Sequence, residues 1–468
     1  MPINPQRRRE AALTSGDLFP ASRRQVLATM LAGVLLSGGR AAVAAMPSST
    51  KLFTPRGAGD QDGRDWQNAM DLKSLSKALS AAEPGSAFMI GFDPGGGDSF
   101  PLDAGQVRLA ASGSPDDPIQ VQAGLISGAD DLAAARGEGP ALFRNSRGWS
   151  LASFGKRKAS CYLAITDGAS HIRLSGFRVD GTPGDGFVKF RAKQDKPQTF
   201  EDIVISGIDA TNVGRIVETD KGATLRNVTI EDCRAIGIVR GFARFRTLND
   251  SILRKLELDA DHMDAGGSNV CQLIALSAGA NVVLEDIVLR NAVNDPRTGG
   301  KKEGYVQGDG IVCERGTKNV TLRRCHGSGM GDAAFDLKTT DAVIEDSSTD
   351  SCKYGARIWS DSNNIIRRCD FRNPKSSGKI KGACIEASGR LEVIDTKLQA
   401  GPGAVAIKLQ EPKKGTADPV VHVRGGSIQL DGDAELALAN GAGVVELHQV
   451  AVNGVTTDHR YVFEKKKK

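Results

Sequence analysis

Between Asp309 and Trp359 the chain carries its densest mixture of acids, bases and an aromatic: Asp309, Glu314, Asp332, Asp336, Lys338, Arg357 and Trp359. These residue types suit β-elimination from a uronic acid polymer. The proton at C5 of such a sugar is weakly acidic, and its removal requires the adjacent carboxylate to be neutralised by a cation or a positive side chain. Asp309, Asp332 and Asp336 are the candidate metal ligands, and Ca²⁺ is the ion such an oxygen set would take. Lys338 is the candidate base, provided that Arg357 and a bound cation lower its pKa. Arg357 is the candidate carboxylate clamp or proton donor. Trp359 could stack a sugar ring, and Glu314 lies on the same substrate face. The same three aspartates could instead form the acid–base set of an inverting glycoside hydrolase. A C5-epimerase would share the first step and reprotonate the carbanion. A non-catalytic β-helix that binds polysaccharide is the rival from another class; Lys338, Arg357, Asp336 and Glu314 would then be an exposed ladder of alternating charge serving solubility and cross-strand pairing, with Asp332 capping a turn.

These residues can meet only if the backbone repeats. Asn319-Val320-Thr321-Leu322-Arg323-Arg324-Cys325 and Asn363-Asn364-Ile365-Ile366-Arg367-Arg368-Cys369 nearly copy each other 44 residues apart, with Asp341-Ala342-Val343-Ile344-Glu345-Asp346-Ser347 midway. Related runs begin at His171, Asp202, Asn227, Asn281 and Leu391, and more weakly at Val420. Each is short, β-branched, alternating and bounded by Gly, Asn, Asp or Ser, which is strand chemistry with turn punctuation. A period of about 22 residues, with 55 glycines and 5% aromatics, predicts an all-β solenoid, a right-handed parallel β-helix. Alternation along the strands predicts Ile311, Cys313, Phe335, Leu337, Ala356, Ile358, Ala383 and Ile385 inside. Val312, Glu314, Asp336, Lys338, Arg357, Trp359, Cys384 and Glu386 then share one outer face.

Ahead of the solenoid, Ala69, Met70, Leu72, Leu75, Ala78 and Leu79 fall at helical spacing within 67–81, predicting an amphipathic helix that caps the first coil. Glu83-Pro84-Gly85 ends it, and a strand is expected over 88–92. This opening, followed by Gly113-Ser114-Pro115-Asp116-Asp117-Pro118-Ile119, resembles that of secreted β-helix polysaccharide lyases over about residues 65–125. Gly308-Asp309-Gly310 followed by Asp332-Ala333-Ala334-Phe335-Asp336-Leu337 resembles the calcium motif of the family-nine pectate lyases. That resemblance implies Asp309, Asp332 and Asp336 as calcium ligands, with Ala333 replacing a ligand aspartate. The base of that family lies further on, where this chain has Arg372 and Lys375. Lys338 and Arg357, 19 residues apart, are similar to the Lys/Arg base–acid pair of the family-six alginate and chondroitin lyases, with Asp336 in place of the glutamates expected ahead of the lysine.

The remaining sequence bounds location and partners. Ser22-Arg23-Arg24-Gln25-Val26-Leu27 precedes an apolar stretch over 26–37 that is too short to span a membrane, and Ala42-Val43-Ala44 offers a cleavage site. This is similar to a twin-arginine export signal and implies a periplasmic or secreted protein. The expected organisation is a signal over 1–45, cap and first coils over 46–125, β-helix over 126–455 and a tail over 456–468. The segment 1–45 holds six arginines against Glu10 and Asp17, so +4 of the net +5 leaves with it. The near-neutral remainder argues against nucleic acid as a partner. An acidic polysaccharide, no stable membrane span and a monomer are the expected relations. Of the eight cysteines, Cys233, Cys325 and Cys369 close strand runs and Cys313 and Cys384 lie inside strands, with no CxxC pair, which suggests stacked small residues rather than disulfides or zinc ligands. Six histidines argue against a His-built metal site. A polar loop at Asp259, Asp261, His262 and Asp264, before Gly266-Gly267, and an insertion over 294–305 complete the candidates.

Overall fold

The computed structural model describes residues 49–54, 56–92, 100–101, 107–125, 142–144, 161–180, 186–263, 270–293, 306–377, 379–412 and 415–465. The chain divides into two units, Met1–Pro47 and Ser48–Lys468. The first, with the expected export segment, lies outside the described residues, as do Asp264, Gly266, Gly267 and the insertion 294–305.

Each repeated run is shaped by two backbone corners. His171, Asp202, Asn227, Asp250, Asn281, Asn319 and Asp341 open the runs with φ between 50° and 59°. Left-handed backbone is least costly for Gly, Asn and Asp, which explains why Asn or Asp recurs there. A second set, Asp232, Lys255, Asp286, Arg324 and Asp346, has φ of 50–54° five residues after the first. Only four extended residues fit between corners, so the strands are short. The first corner also stacks: Asn319 Nδ2 donates to Asn281 Oδ1 and Asn281 Nδ2 to Asp250 Oδ1, each at 2.7 Å.

The strands pair in parallel from coil to coil. Ala333–Leu337, Val343–Glu345 and Ser348–Asp350 pair with Tyr354–Ile358, Asn364–Arg367 and Asp370–Arg372. Those in turn pair with Ala383–Ala387, Arg390–Ile394 and Lys397–Ala400. Thr321 opposes Val343 and Val343 opposes Ile365, an offset of 22 residues each time. Elsewhere loops lengthen the coil, as between Arg357 and Glu386, 29 residues apart in adjacent strands. The described chain is thus all-β, a stack of parallel coils with one short helix. Among the described residues no helix is long and apolar enough to cross a membrane.

Charge explains why the near-copy recurs after two coils rather than one. Glu231, Arg254, Glu285, Arg323, Glu345 and Arg367 occupy successive rungs of one column. The neighbouring corners, Asp232, Lys255, Asp286, Arg324, Asp346 and Arg368, alternate in the same order. Each acidic pair therefore meets basic pairs, as in Arg254–Glu231 at 2.6 Å, Arg324–Asp286 at 2.6 Å and Arg323–Glu345 at 2.6 Å. Burial works against the Glu345 carboxylate, but hydrogen bonds from Arg323 and Arg367 outweigh it and hold its pKa below the usual value. A slip of one coil would set like charge on like, so the ladder specifies register.

Inside, the pleat breaks where the first strand of each coil begins. Ala334 and Phe335, Cys384 and Ile385, and Ala406 and Ile407 are consecutive pairs that both enter the core. A Cβ on Gly355 would meet Phe371 Cγ at 3.3 Å and Cys384 O at 2.5 Å, so this column admits only small residues. Cys384 is therefore corrected from the outer face to the interior: its Sγ lies 3.4 Å from Phe371 O and from Gln399 O. Ala383, expected inside, instead packs with Ala333, Tyr354 and Val405 in a small separate cluster. All eight cysteines are buried. Burial pushes the thiols of Cys233, Cys325, Cys352, Cys369 and Cys384 up to about 12, which suits space-filling spacers.

Phe335 is fully buried and lies 6.4 Å, centroid to centroid, from Phe371 of the next coil. Phe335→Ala is expected to cost about 3–5 kcal/mol through transfer and cavity terms, read as a lower urea midpoint at unchanged slope.

The helix is shorter than the spacing predicts. It covers Leu72–Ser80, because the Asp71 carboxylate accepts from the Ser74 N–H at 2.9 Å and caps it there. Trp66–Asn68 is a 3-10 turn and Met70–Asp71 a strand paired with Phe53–Thr54. Leu75 and Leu79 join the continuous core. At the other end, a tail was expected from residue 456, yet Val455–Phe463 is a strand. It pairs antiparallel with Gly443–Val452. An uncovered last strand exposes unpaired backbone groups, and the hairpin return satisfies them.

Candidate functional site

One outer column runs along the first strand of successive coils. Its register is Lys189, Glu218, Arg244, Ala275, Val312, Asp336, Arg357, Glu386 and Lys408. Charges alternate at both ends and lapse at Ala275 and Val312. The alternation predicted for Asp336, Arg357 and Glu386 is thus present and continues one coil further to Lys408.

All seven residues singled out in the sequence gather at this column. Lys338 Nζ lies 2.8 Å from Glu314 Oε1 and 3.4 Å from Asp336 Oδ2. Trp359 Nε1 donates to Asp336 Oδ1 at 2.5 Å. Arg357 Nη1 donates to Asp332 Oδ2 at 3.2 Å, and Arg357 Nε to Glu386 Oε1 at 2.9 Å. Its guanidinium carbon sits 4.7 Å from the Tyr354 ring centroid and 4.5 Å from that of Trp359, so one face of the indole is already covered. Gly308 makes the entry possible: its φ is +130°, and a Cβ there would lie 2.1 Å from Ala292 O. Asp309 follows, and its Oδ1 accepts from the Ala333 N–H at 3.1 Å.

Three residues of the cluster escaped the sequence reading. Lys353 Nζ lies 3.8 Å from Asp332 Oδ1, with its side chain 2% exposed. Lys408 Nζ lies 3.0 Å from Glu386 Oε2 and donates to the Tyr354 hydroxyl at 3.1 Å. Continuing the register to Val405–Leu409 would have found Lys408. Tyr354 is in register with Ala333 and Ala383, so extending the strand of Ala356 backwards would have found it. Lys353 lies in the turn before that strand, and only the turn geometry brings it in.

The electrostatics divide the two lysines. Burial acts to lower the Lys338 pKa, but Asp336 and Glu314 outweigh it and the net shift is upward. This is opposite to the lowering that a base at this position requires. Lys353 is lowered to about 8: burial is the main cause, Asp332 opposes it, and Arg357 and Lys408 add to it. The Asp309 carboxyl is pushed well up by burial and by the charges of Asp332 and Asp336.

A folded-state pKa above the unfolded value means that the native state binds the extra proton. Stability from this group is therefore lost as pH rises above the unfolded carboxyl range towards the raised value. Asp309→Asn, an amide standing in for the protonated acid, is expected to flatten that fall, seen in melting temperatures across a pH series.

The three aspartates do not form a Ca²⁺ cage. Asp332 is engaged by Arg357 and Lys353, and Asp336 by Trp359 and Lys338. Ca²⁺ takes six to eight oxygens, preferably ionised carboxylates among them, and this donor set is directed at protein cations instead. Arg372 pairs with Asp370 Oδ1 at 2.7 Å on another strand of the coil. In the second polar loop, Asp259 Oδ1 accepts from the Asp261 N–H at 2.8 Å and from Asn291 Nδ2 at 3.0 Å, which is turn capping.

No family model matches the chain, and no curated protein matches it either. Among solved structures it is similar to a pectate lyase, at 14% identity over 70% of this chain and 78% of that one, with a TM-score of 0.45. It is also similar to an alginate lyase from Paenibacillus sp., at 13% identity over 76% and 97% of the two chains, with a TM-score of 0.41. A hyperthermoactive exopolygalacturonase from Thermotoga maritima aligns at 10% identity over 84% and 89%, with a TM-score of 0.45.

Proposed function

We propose that this chain is an exported enzyme that cleaves an acidic, uronate-containing polysaccharide by β-elimination on a right-handed parallel β-helix. Handedness follows from the near-universal right-handed sense of parallel strand connections. Export, to the periplasm or beyond, rests on Arg23-Arg24 ahead of the apolar stretch.

The observation that carries the reaction is the gathering of Lys338, Lys353 and Arg357 around Asp332 and Asp336, where burial lowers one lysine and neighbouring carboxylates raise the other. Two titratable groups with opposed shifts assign the base and the acid. Lys353, whose amine is enclosed in the free protein, takes the base role in place of Lys338 once substrate entry opens the wall over it. As a neutral amine it removes the C5 proton, and Arg357, beside the Asp309 carboxyl that burial and the charges of Asp332 and Asp336 push well up, stabilises the charge developing on the sugar carboxylate. The electron pair forms the C4–C5 double bond, and the C4–O bond breaks. The departing oxygen takes a proton from the Lys338 ammonium, which Asp336 and Glu314 keep charged. The uncovered face of Trp359 carries a sugar ring.

A second reading has its own observation. Asp309, whose carboxyl is pushed well up by burial and by Asp332 and Asp336, is also placed as a glycosidase general acid would be. Uronate polymers such as pectate, alginate and chondroitin, incubated with and without Ca²⁺, separate the two. Elimination gives the ultraviolet absorbance of an unsaturated uronate. New reducing ends without that absorbance mean hydrolysis. A changed uronate configuration without cleavage means epimerisation, and binding without any product makes the face a recognition surface.

A further inference from the structure

Away from this column, the last coils bring together side chains that a sequence with six histidines gave little reason to connect. His422 and Glu446 oppose each other in adjacent parallel strands, and Arg424 opposes His448 one step on. Nδ1 of His422 lies 2.9 Å from Oε2 of Glu446, and Nε2 of His448 lies 3.8 Å from the same oxygen. One ligand atom from each residue falls within 4.8 Å of the other two.

We propose that His422, Glu446 and His448 form a binding site for a borderline divalent cation of the Zn²⁺ kind. The donor set is two imidazoles and one carboxylate, which such ions prefer and Ca²⁺ or Mg²⁺ do not. The fit is metric. A tetrahedral ion with bonds of about 2.0–2.1 Å sets its ligands roughly 3.3 Å apart, between the two observed separations of 2.9 Å and 3.8 Å, so the site closes when His448 moves in and the His422–Glu446 contact opens, each by about half an ångström. The contact between His422 and Glu446 also lacks hydrogen-bond alignment although the nitrogen is buried. A shared cation would satisfy both atoms where a proton does not.

Glu446 is oriented from behind. Arg460 of the terminal hairpin holds its other oxygen, Nε to Oε1, at 2.8 Å. Ligating carboxylates are commonly fixed by such an outer partner, which here leaves Oε2 facing the imidazoles. His448 is 47% exposed, so an ion can enter from solvent and keep water in its remaining positions. Bound there, it would tie the coil of His422 to the coil that carries the hairpin.

The test uses chelator-stripped, tag-free chain titrated with ZnCl₂ by calorimetry, followed by thermal melts with and without the metal. One equivalent is expected to bind and to raise the melting temperature as mass action requires. Loss of an outer-shell partner typically costs about 10–100-fold in affinity, so His448→Ala, which removes a ligand, should cost at least that. Its half-exposed position leaves the fold intact, and His422→Ala should weaken binding similarly. Absence of stoichiometric binding, or binding that His448→Ala leaves unchanged, overturns the proposal.

Discussion

With Lys353 as the proposed base, Lys353→Met is expected to lower turnover of an acidic polysaccharide by about 10²–10⁴-fold, the usual range for removing a positioned general base. Methionine keeps the length and apolar volume of the side chain and removes the amine. Asp332 retains Arg357 at 3.2 Å, so the local ion pairing survives and the circular dichroism spectrum should match that of the parent chain. The pH profile separates a chemical role from a structural one. The base works as the neutral amine and its pKa is lowered to about 8. For the parent, kcat/KM should therefore climb roughly tenfold per pH unit on the acid side of that value and level off above it. A profile flat from about pH 6 to about pH 9, or a Lys353→Met variant with near-parental turnover, would remove Lys353 from the reaction. Lys338 is charged through the same interval, so it can donate a proton there but cannot accept one.

The second large effect concerns stability. Glu386 is 3% exposed and lies between Arg357 at 2.9 Å and Lys408 at 3.0 Å. Glu386→Ala leaves two enclosed cations without their shared carboxylate. Breaking a buried pair in this way costs about 3–5 kcal/mol, because Lys408 loses its carboxylate, Arg357 keeps only Asp332, and neither gains water in exchange. Coils contact only their neighbours, so the loss should be local. Hydrogen exchange should speed up first in Tyr354–Ile358, Ala383–Ala387 and Val405–Leu409. Glu345→Ala is the informative comparison. Its partners Arg323, Arg367 and Arg368 are 41–50% exposed and can turn to solvent, so that change should cost only about 1 kcal/mol. Equal losses at the two sites would mean that enclosure is not what distinguishes them.

Much of this arrangement was legible before any coordinates. Asn319, Asp341 and their counterparts mark left-handed corners, a local backbone property that composition records directly. The 22-residue offset between Thr321, Val343 and Ile365 is the sequence period itself, because a coil stacks on its neighbour at a fixed register. Simple alternation then placed Asp336, Arg357 and Glu386 in one outward column. It failed at Cys384, where two successive residues turn inward at the start of the strand. That bend depends on crowding against another strand of the same coil, around Phe371, and no local pattern reports it.

By itself, then, the sequence determined the repeat, the corners, the alternating charges and the gathering of Asp309, Asp332, Asp336, Lys338 and Arg357. Each of these follows from backbone cost or from a period. Tertiary structure alone decided which lysine is depressed and which is raised, that Lys353 joins the cluster, and that His422, Glu446 and His448 converge. A pKa is set by every charge and every shielding atom within a few ångströms. The groups that act on Lys353, namely Asp332, Arg357, Lys408 and Glu386, come from four different coils.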